Sequence, residues 1–141
     1  MHIYREVFWQ TMYWVLNQRF FDGRLNMIPV YHRELDGELA EYGITAFTPY
    51  IIINLYAEVT ICEMTGVLLH KICHQAVLEE VGIKSCFKHD INWINQMRKC
   101  GFKGRIDEWT IGEERFLDNH KEYLEIYDSV VEFVRNIEDN F

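Results

Sequence analysis

Proline is scarce in this chain of 141 residues. Only Pro29 and Pro49 occur, and no serine- or glycine-rich tract accompanies them. With 49% hydrophobic and 15% aromatic residues, that composition excludes a disordered or linker-like chain and suits one domain with its own core. No apolar run nears the roughly 20 residues needed to span a bilayer, so no membrane association is expected. The first ten residues already include Arg5, Glu6 and Trp9 and lack a signal-peptide apolar region. A cytoplasmic protein is the expectation. Paired cysteine motifs are missing too: Cys62, Cys73, Cys86 and Cys100 form no Cys-x-x-Cys. On one helix, Cys62 and Cys73 would stand about 16 Å apart, too far to bridge, so reduced and buried thiols are expected.

Basic residues are sparse in the last quarter of the chain. Residues 107–141 hold Arg115, Lys121 and Arg135 against 11 acids, and this segment carries the whole net charge of −8. Such a tail does not suit nucleic-acid phosphates. Between residues 84 and 105 the sign reverses: Lys84, Lys88, Arg98, Lys99, Lys103 and Arg105 face only Asp90. Two readings stay open for this stretch. It is a contact patch for nucleic acid or an acidic partner, or it folds against the acidic C-terminal helix and is neutralised there.

The periodicities predict an α+β domain. Ile3, Val7, Phe8, Met12, Val15, Leu16 and Phe20 recur at helical spacing over 3–20, and Asp22-Gly23 ends that helix. Residues 27–31, 42–47 and 50–55 read as strands of a small antiparallel sheet broken at Asp36-Gly37 and Thr48-Pro49. Asn54 is the expected N-cap of a long helix over about 57–81, closed by Gly82. A shorter helix is expected over His89–Lys99, ending at Gly101. Thr110 to Glu113 resembles a capping box for a last helix with an apolar stripe of Leu117, Leu124, Tyr127, Val131 and Val134. No repeat or domain linker interrupts this order, so residues 1–141 read as one domain.

The most informative stretch is His70-Lys71-Ile72-Cys73-His74, with His89 at the head of the next helical segment. Histidines at i and i+4 lie on one helix face, where both imidazoles can reach one cation. The pair alone is a weak signal, since two polar residues on a half-buried face satisfy the same pattern. Its setting strengthens it: Val67, Leu68, Leu69, Ile72, Ala76, Val77 and Leu78 surround the pair with apolar side chains. Unpaired imidazoles there would be costly. Gly66, one turn before His70, leaves room on that face. In the His-Glu-x-x-His form of this motif the glutamate polarises a metal-bound water and takes its proton. Here Lys71 occupies that position, and a protonated lysine has no acceptor.

These residues resemble the SprT-like family of zinc metallopeptidases, which includes the Spartan proteases of DNA–protein crosslink repair. Leu68-Leu69-His70-Lys71-Ile72-Cys73-His74 is similar to that family's Leu-Leu-His-Glu-x-x-His. His89-Asp90-Ile91-Asn92-Trp93, with Met97 and Gly101, is similar to its third-ligand segment. Asn17 to Leu25 is similar to its helix end before the sheet. The likeness covers about residues 5–103, with residues 107–141 as an acidic helical extension. It implies one zinc ion held by His70, His74 and His89 in a zincin-like fold. The implied order is an N-terminal helix, a small sheet, a metal-binding helix, a third-ligand helix and an acidic C-terminal helix. Three departures bear on activity: Lys71 replaces the general base, Asp90 and Asn92 replace the usual Gly and Glu, and there is no cysteine-based zinc ribbon after them.

General-base catalysis contributes roughly 10²–10⁴-fold, so losing the acceptor points to a pseudoenzyme. An ammonium about 5 Å from Zn²⁺ at an effective dielectric near 20 costs roughly 3 kcal/mol, which lysine avoids by extending its stem away. The expected function is zinc binding combined with the holding of a protein, or protein–nucleic acid, partner. The alternatives are an active zinc peptidase, with an unconventional base or an introduced substitution at Lys71, and a nucleic-acid-binding module using the 84–105 patch. An extended peptide could pair with the 42–55 region beside the metal. Trp93 and Met97 read as core, and Glu63 as a solvated glutamate or an acceptor behind the ligands. His2, His32 and His120 are assigned no role.

Overall fold

The computed structural model describes residues 2–102 and 120–139. Among these, an α+β architecture is formed by helices α1 (His2–Phe21), α2 (Ile61–Glu80), α3 (Ile91–Lys99) and α4 (His120–Asp139) with strands β1 (Val30–Arg33), β2 (Ala40–Thr45) and β3 (Thr48–Asn54).

The apolar spacing of α1 buries Trp9, Met12, Tyr13 and Leu16 against the sheet and α2. Its end is pinned by buried Asn17, whose side-chain amide donates to the Leu25 carbonyl at 3.0 Å and accepts from the Leu25 N–H at 3.3 Å. That clamp turns the chain back beneath the helix.

The sheet is mixed, not antiparallel as its sequence suggests. Its order is β1-β3-β2, with β1 parallel to β3 and β2 antiparallel to it. The break between β2 and β3 falls at Ala46-Phe47, one step before Thr48-Pro49. Both residues adopt left-handed φ, 51° and 67°, the two-residue turn that matches strand twist. Pro49 therefore lies inside β3. Ile51 donates to Pro29 on the β1 side, so the Pro49 nitrogen, two residues earlier, faces that side beyond the start of β1 and lacks no ladder bond. Val30, Ala40, Tyr42, Ile51 and Ile53 alternate inward to the core.

Asn54 is not the helix cap. Its side chain donates to Leu35 O at 3.2 Å and Glu38 O at 2.7 Å, tying down the β1–β2 crossing. The cap of α2 is Thr60, whose hydroxyl accepts from the Glu63 N–H at 3.1 Å. α2 is the spine of the fold, buried without a break from Met64 to His70 and from Ile72 to Val77. Each large apolar side chain sequestered there stabilises by roughly 1.5–3 kcal/mol. The acidic helix α4 packs principally on α1 and α2. Its buried stripe is Tyr123, Ile126, Val130 and Val134, rotated from the expected one: Leu124 is exposed, and Tyr127 and Val131 flank the contact. Leu117 and the Thr110–Glu113 capping box lie outside the described residues.

Candidate metal centre

His70 and His74 stand one turn apart on the buried part of α2, both under 6% exposed. His89 reaches them because α2 stops abruptly. Val81 caps it, Gly82 takes φ 132°, and the next loop doubles back along the helix. Asp90 then accepts from the N–H groups of Asn92 (3.0 Å) and Trp93 (3.3 Å), starting α3 immediately after His89. The expected start of this helix at His89 thus moves to Ile91. Asp90 has a local structural purpose as an N-cap.

The three Nε2 atoms form a nearly equilateral triangle: 3.1 Å from His70 to His74, 3.1 Å from His70 to His89, and 3.2 Å from His74 to His89. Mutual hydrogen bonding does not account for it. Each ring nitrogen carries either a hydrogen or a lone pair, so at least one of the three edges must set like against like. A cation relieves all three. Nitrogens about 2.05 Å from a tetrahedral zinc are about 3.3 Å apart, so a triangle of the observed size would fit such an ion. Among the described residues, His70, His74 and His89 are the group of this kind that can hold a metal ion.

The surroundings keep His70 and His74 neutral and orient His74. His74 Nδ1 donates to the Cys86 carbonyl at 2.8 Å, which turns the Nε2 lone pair towards the other rings. Burial, helped by the charges of His70, Lys71 and His89, pushes the His74 imidazole down to about 2. Burial also holds His70 well below the usual histidine range, with Lys71 and His89 adding to the effect. Neutral imidazole is the form that ligates.

Trp93, fully buried, lies against all three imidazoles, with ring centroids 4.8, 5.6 and 4.2 Å from His70, His74 and His89. It is core, and it is also the wall that fixes the ligand rotamers. On the other flank Tyr42 of β2 stacks parallel to His74 at 6.2 Å and meets Phe87 at 5.6 Å. Sequence reasoning placed the 42–55 region beside the metal without singling out Tyr42, and missed the Cys86 carbonyl. A buried aromatic in an alternating strand was the only signal for the first, and a backbone carbonyl leaves none.

Lys71 is half-buried. It lies about 100° round the helix from His70 and 60° from His74, flanking the ligand stripe. Glu63 sits in the first turn of α2, about 10 Å of helix from His70, and the carbonyl that orients a ligand belongs to Cys86 instead. Lys84, Lys88, Arg98 and Lys99 are exposed, while Lys103 and Arg105 lie outside the described residues. The acidic helix pairs with α1, where Arg19 donates to Glu122 at 2.8 Å. Its described part is seated on α1 and α2, while residues 103–119, which hold part of both stretches, lie outside the described residues.

The cysteines carry no disulfide; Cys73 and Cys100 face each other with sulfurs 3.9 Å apart. No described helix is long and apolar enough to cross a membrane. Compared with family models, curated proteins and solved structures, the chain matches none of them.

Proposed function

We propose that this chain is a SprT-like, zincin-like pseudoenzyme that binds one zinc ion through His70, His74 and His89 and holds a protein partner without cutting it. The observation that carries the reading is the Nε2 triangle with its two buried, neutral imidazoles. Three histidines suit zinc, whose catalytic sites use three protein ligands. Zinc, when bound, supplies Lewis acidity and lowers the pKa of a coordinated water.

The residues beside the ion decide between cutting and holding. Lys71 offers no acceptor at the position from which a proton must be taken, so the general-base contribution is absent. Binding remains available. β2 is an edge strand. Asn54 N–H bonds to Leu39 O, and this register makes 39, 41, 43 and 45 face β3. The backbone groups of Ala40, Tyr42 and Ile44 therefore face away from β3, a side that no strand covers among the described residues, next to Tyr42's contact with His74. An extended peptide can pair there.

Metal analysis of purified protein tests the centre: one zinc per chain is expected, and none in His74→Ala. A zinc-free protein at neutral pH would remove the reading. The pseudoenzyme part is tested on a disordered protein substrate. No cleavage is expected from the native chain, and Lys71→Glu is expected to gain activity by up to the 10²–10⁴-fold typical of a general base. Cleavage by the native chain that His70→Ala abolishes would favour a peptidase with an unconventional base. Salt-sensitive DNA binding lost in Arg98→Glu/Lys99→Glu would instead favour a nucleic-acid module.

A further inference from the structure

Close-packed interiors leave few spaces larger than a water molecule. In this protein a pocket of about 430 Å³ lies at the end of the sheet, between α1, α4 and the segment that leads into α2. Its size falls within the roughly 300–1,000 Å³ typical of small-molecule sites. The metal centre is elsewhere: the lining reaches no further along α2 than Met64, about 9 Å of helix short of His70.

The lining has an aromatic part and an aliphatic part. Phe8 and Trp9 of α1 and Tyr127 of α4 supply the rings, with Phe8 edge-on to the other two at centroid distances of 5.0 and 6.0 Å. Ile53, Leu55, Val59 and Met64, from β3, the connecting segment and α2, supply aliphatic surface. The polar side chains are His32, Asn54 and Thr60. Asn54 is committed to the loop clamp, and the Thr60 hydroxyl accepts from the Glu63 N–H. Among the described residues, no Asp, Glu, Lys or Arg lines the pocket. Such walls give water few partners and give a buried charge little compensation, so they favour an uncharged occupant. Rings at 4.5–7 Å spacing, offset or edge-on, are how aromatic groups prefer to meet, so a flat aromatic body suits the Phe8–Trp9–Tyr127 side.

We propose that this pocket is a binding site for an uncharged, flat aromatic molecule, held with its ring system against Phe8, Trp9 and Tyr127 and the rest of its surface against the aliphatic side chains. The site is independent of the metal reading and stands or falls without it.

The test titrates the full chain with N-phenylnaphthylamine, a neutral aromatic probe whose fluorescence rises on burial, and with its sulfonated analogue, anilinonaphthalenesulfonate. Saturable binding of one neutral probe per chain is expected, at least about tenfold tighter than that of the sulfonate, whose charge these walls do not compensate. Val131→Trp fills the pocket from α4 and should weaken the neutral probe at least about tenfold by taking up the apolar surface it would cover. Circular dichroism and thermal unfolding check that this variant is folded. Ala57→Leu, a smaller filling from the connecting segment, should weaken the probe in the same direction and carries the test if Val131→Trp does not fold. A second apolar surface, the groove of Trp14, Met27 and Phe133, is the competing place for such a probe. Binding that survives filling of the pocket but is lost in Trp14→Ser/Met27→Ser would put the probe in that groove and overturn the site. Equal affinity for the sulfonate, or no saturable binding of the neutral probe, would overturn it as well.

Discussion

Two clusters of buried polar side chains sit on α2, and they solve the problem of burial in opposite ways. On the face towards α1, Gln75 is fully sequestered and its hydrogen bonds stay inside the protein. Tyr13 donates to its Oε1 at 2.7 Å, and its amide donates to Asn26 O at 2.7 Å and Glu79 at 2.6 Å. Glu79 in turn accepts from the Asn26 N–H at 3.0 Å. The Tyr13 hydroxyl, also 2.7 Å from Asn26 O, shares its one hydrogen between two acceptors, and each polar atom of the Gln75 side chain has a partner within the protein. One residue before Gln75, His74 is as deeply placed but turns its Nε2 towards two other ring nitrogens. The first cluster is complete without a ligand. The second has a geometry that a shared cation completes. Buried polarity marks a functional site when its atoms converge on one point instead of pairing with one another.

The largest way to break this contrast is Trp93→Ala. Removing a fully buried indole is expected to cost about 3–5 kcal/mol in denaturant unfolding and to release the three ligand rotamers, lowering zinc affinity as well. The next change separates metal from fold. Zinc at about 100 times its Kd should stabilise the native chain by about 2.7 kcal/mol in thermal or urea unfolding, and His74→Ala should gain nothing. Gln75→Leu sharpens the comparison from the other side. Leaving the Tyr13 hydroxyl and Glu79 with fewer partners should cost about 1–3 kcal/mol of stability with zinc affinity unchanged; a matching loss of zinc would show the two clusters to be coupled.

The smallest effect concerns pH. Burial of Glu80 opposes its ionisation, but hydrogen bonds from Arg24 and Gln96 together with the Arg24 charge outweigh this and hold its carboxyl below the usual range. A depressed folded value means the stabilisation is present above the unfolded value, about 4.3, and is lost as pH falls through the folded one. Arg24→Met should therefore flatten the decline of stability below about pH 4.5. The effect will be small because the pair is partly exposed.

Legibility follows the range of the forces involved. α1 is readable over 3–20 because its apolar spacing and the Asp22-Gly23 stop are local signals, and the structure extends it by only one residue at each end. The two histidines on α2 are readable for the same reason. Asn54 misleads because a residue suited to capping also suits a loop clamp, and only the β1–β2 crossing decides between them. The α4 stripe reads one residue round because several adjacent apolar side chains fit a helical period, and the partner surface selects among them. The parallel pairing of β1 has no local signature, since strand spacing does not reveal direction.

By itself the sequence determined the helices, the i and i+4 spacing of His70 and His74, and a lysine beside them, because each depends on residues within one or two helical turns. Only the tertiary structure decided that His89 closes the triangle, that the Cys86 carbonyl orients His74, and that Tyr42 of β2, an edge strand among the described residues, stands beside the site. Those arrangements depend on where a chain reversal and a packed strand place distant atoms, and side-chain identity along the chain does not encode distance across the core.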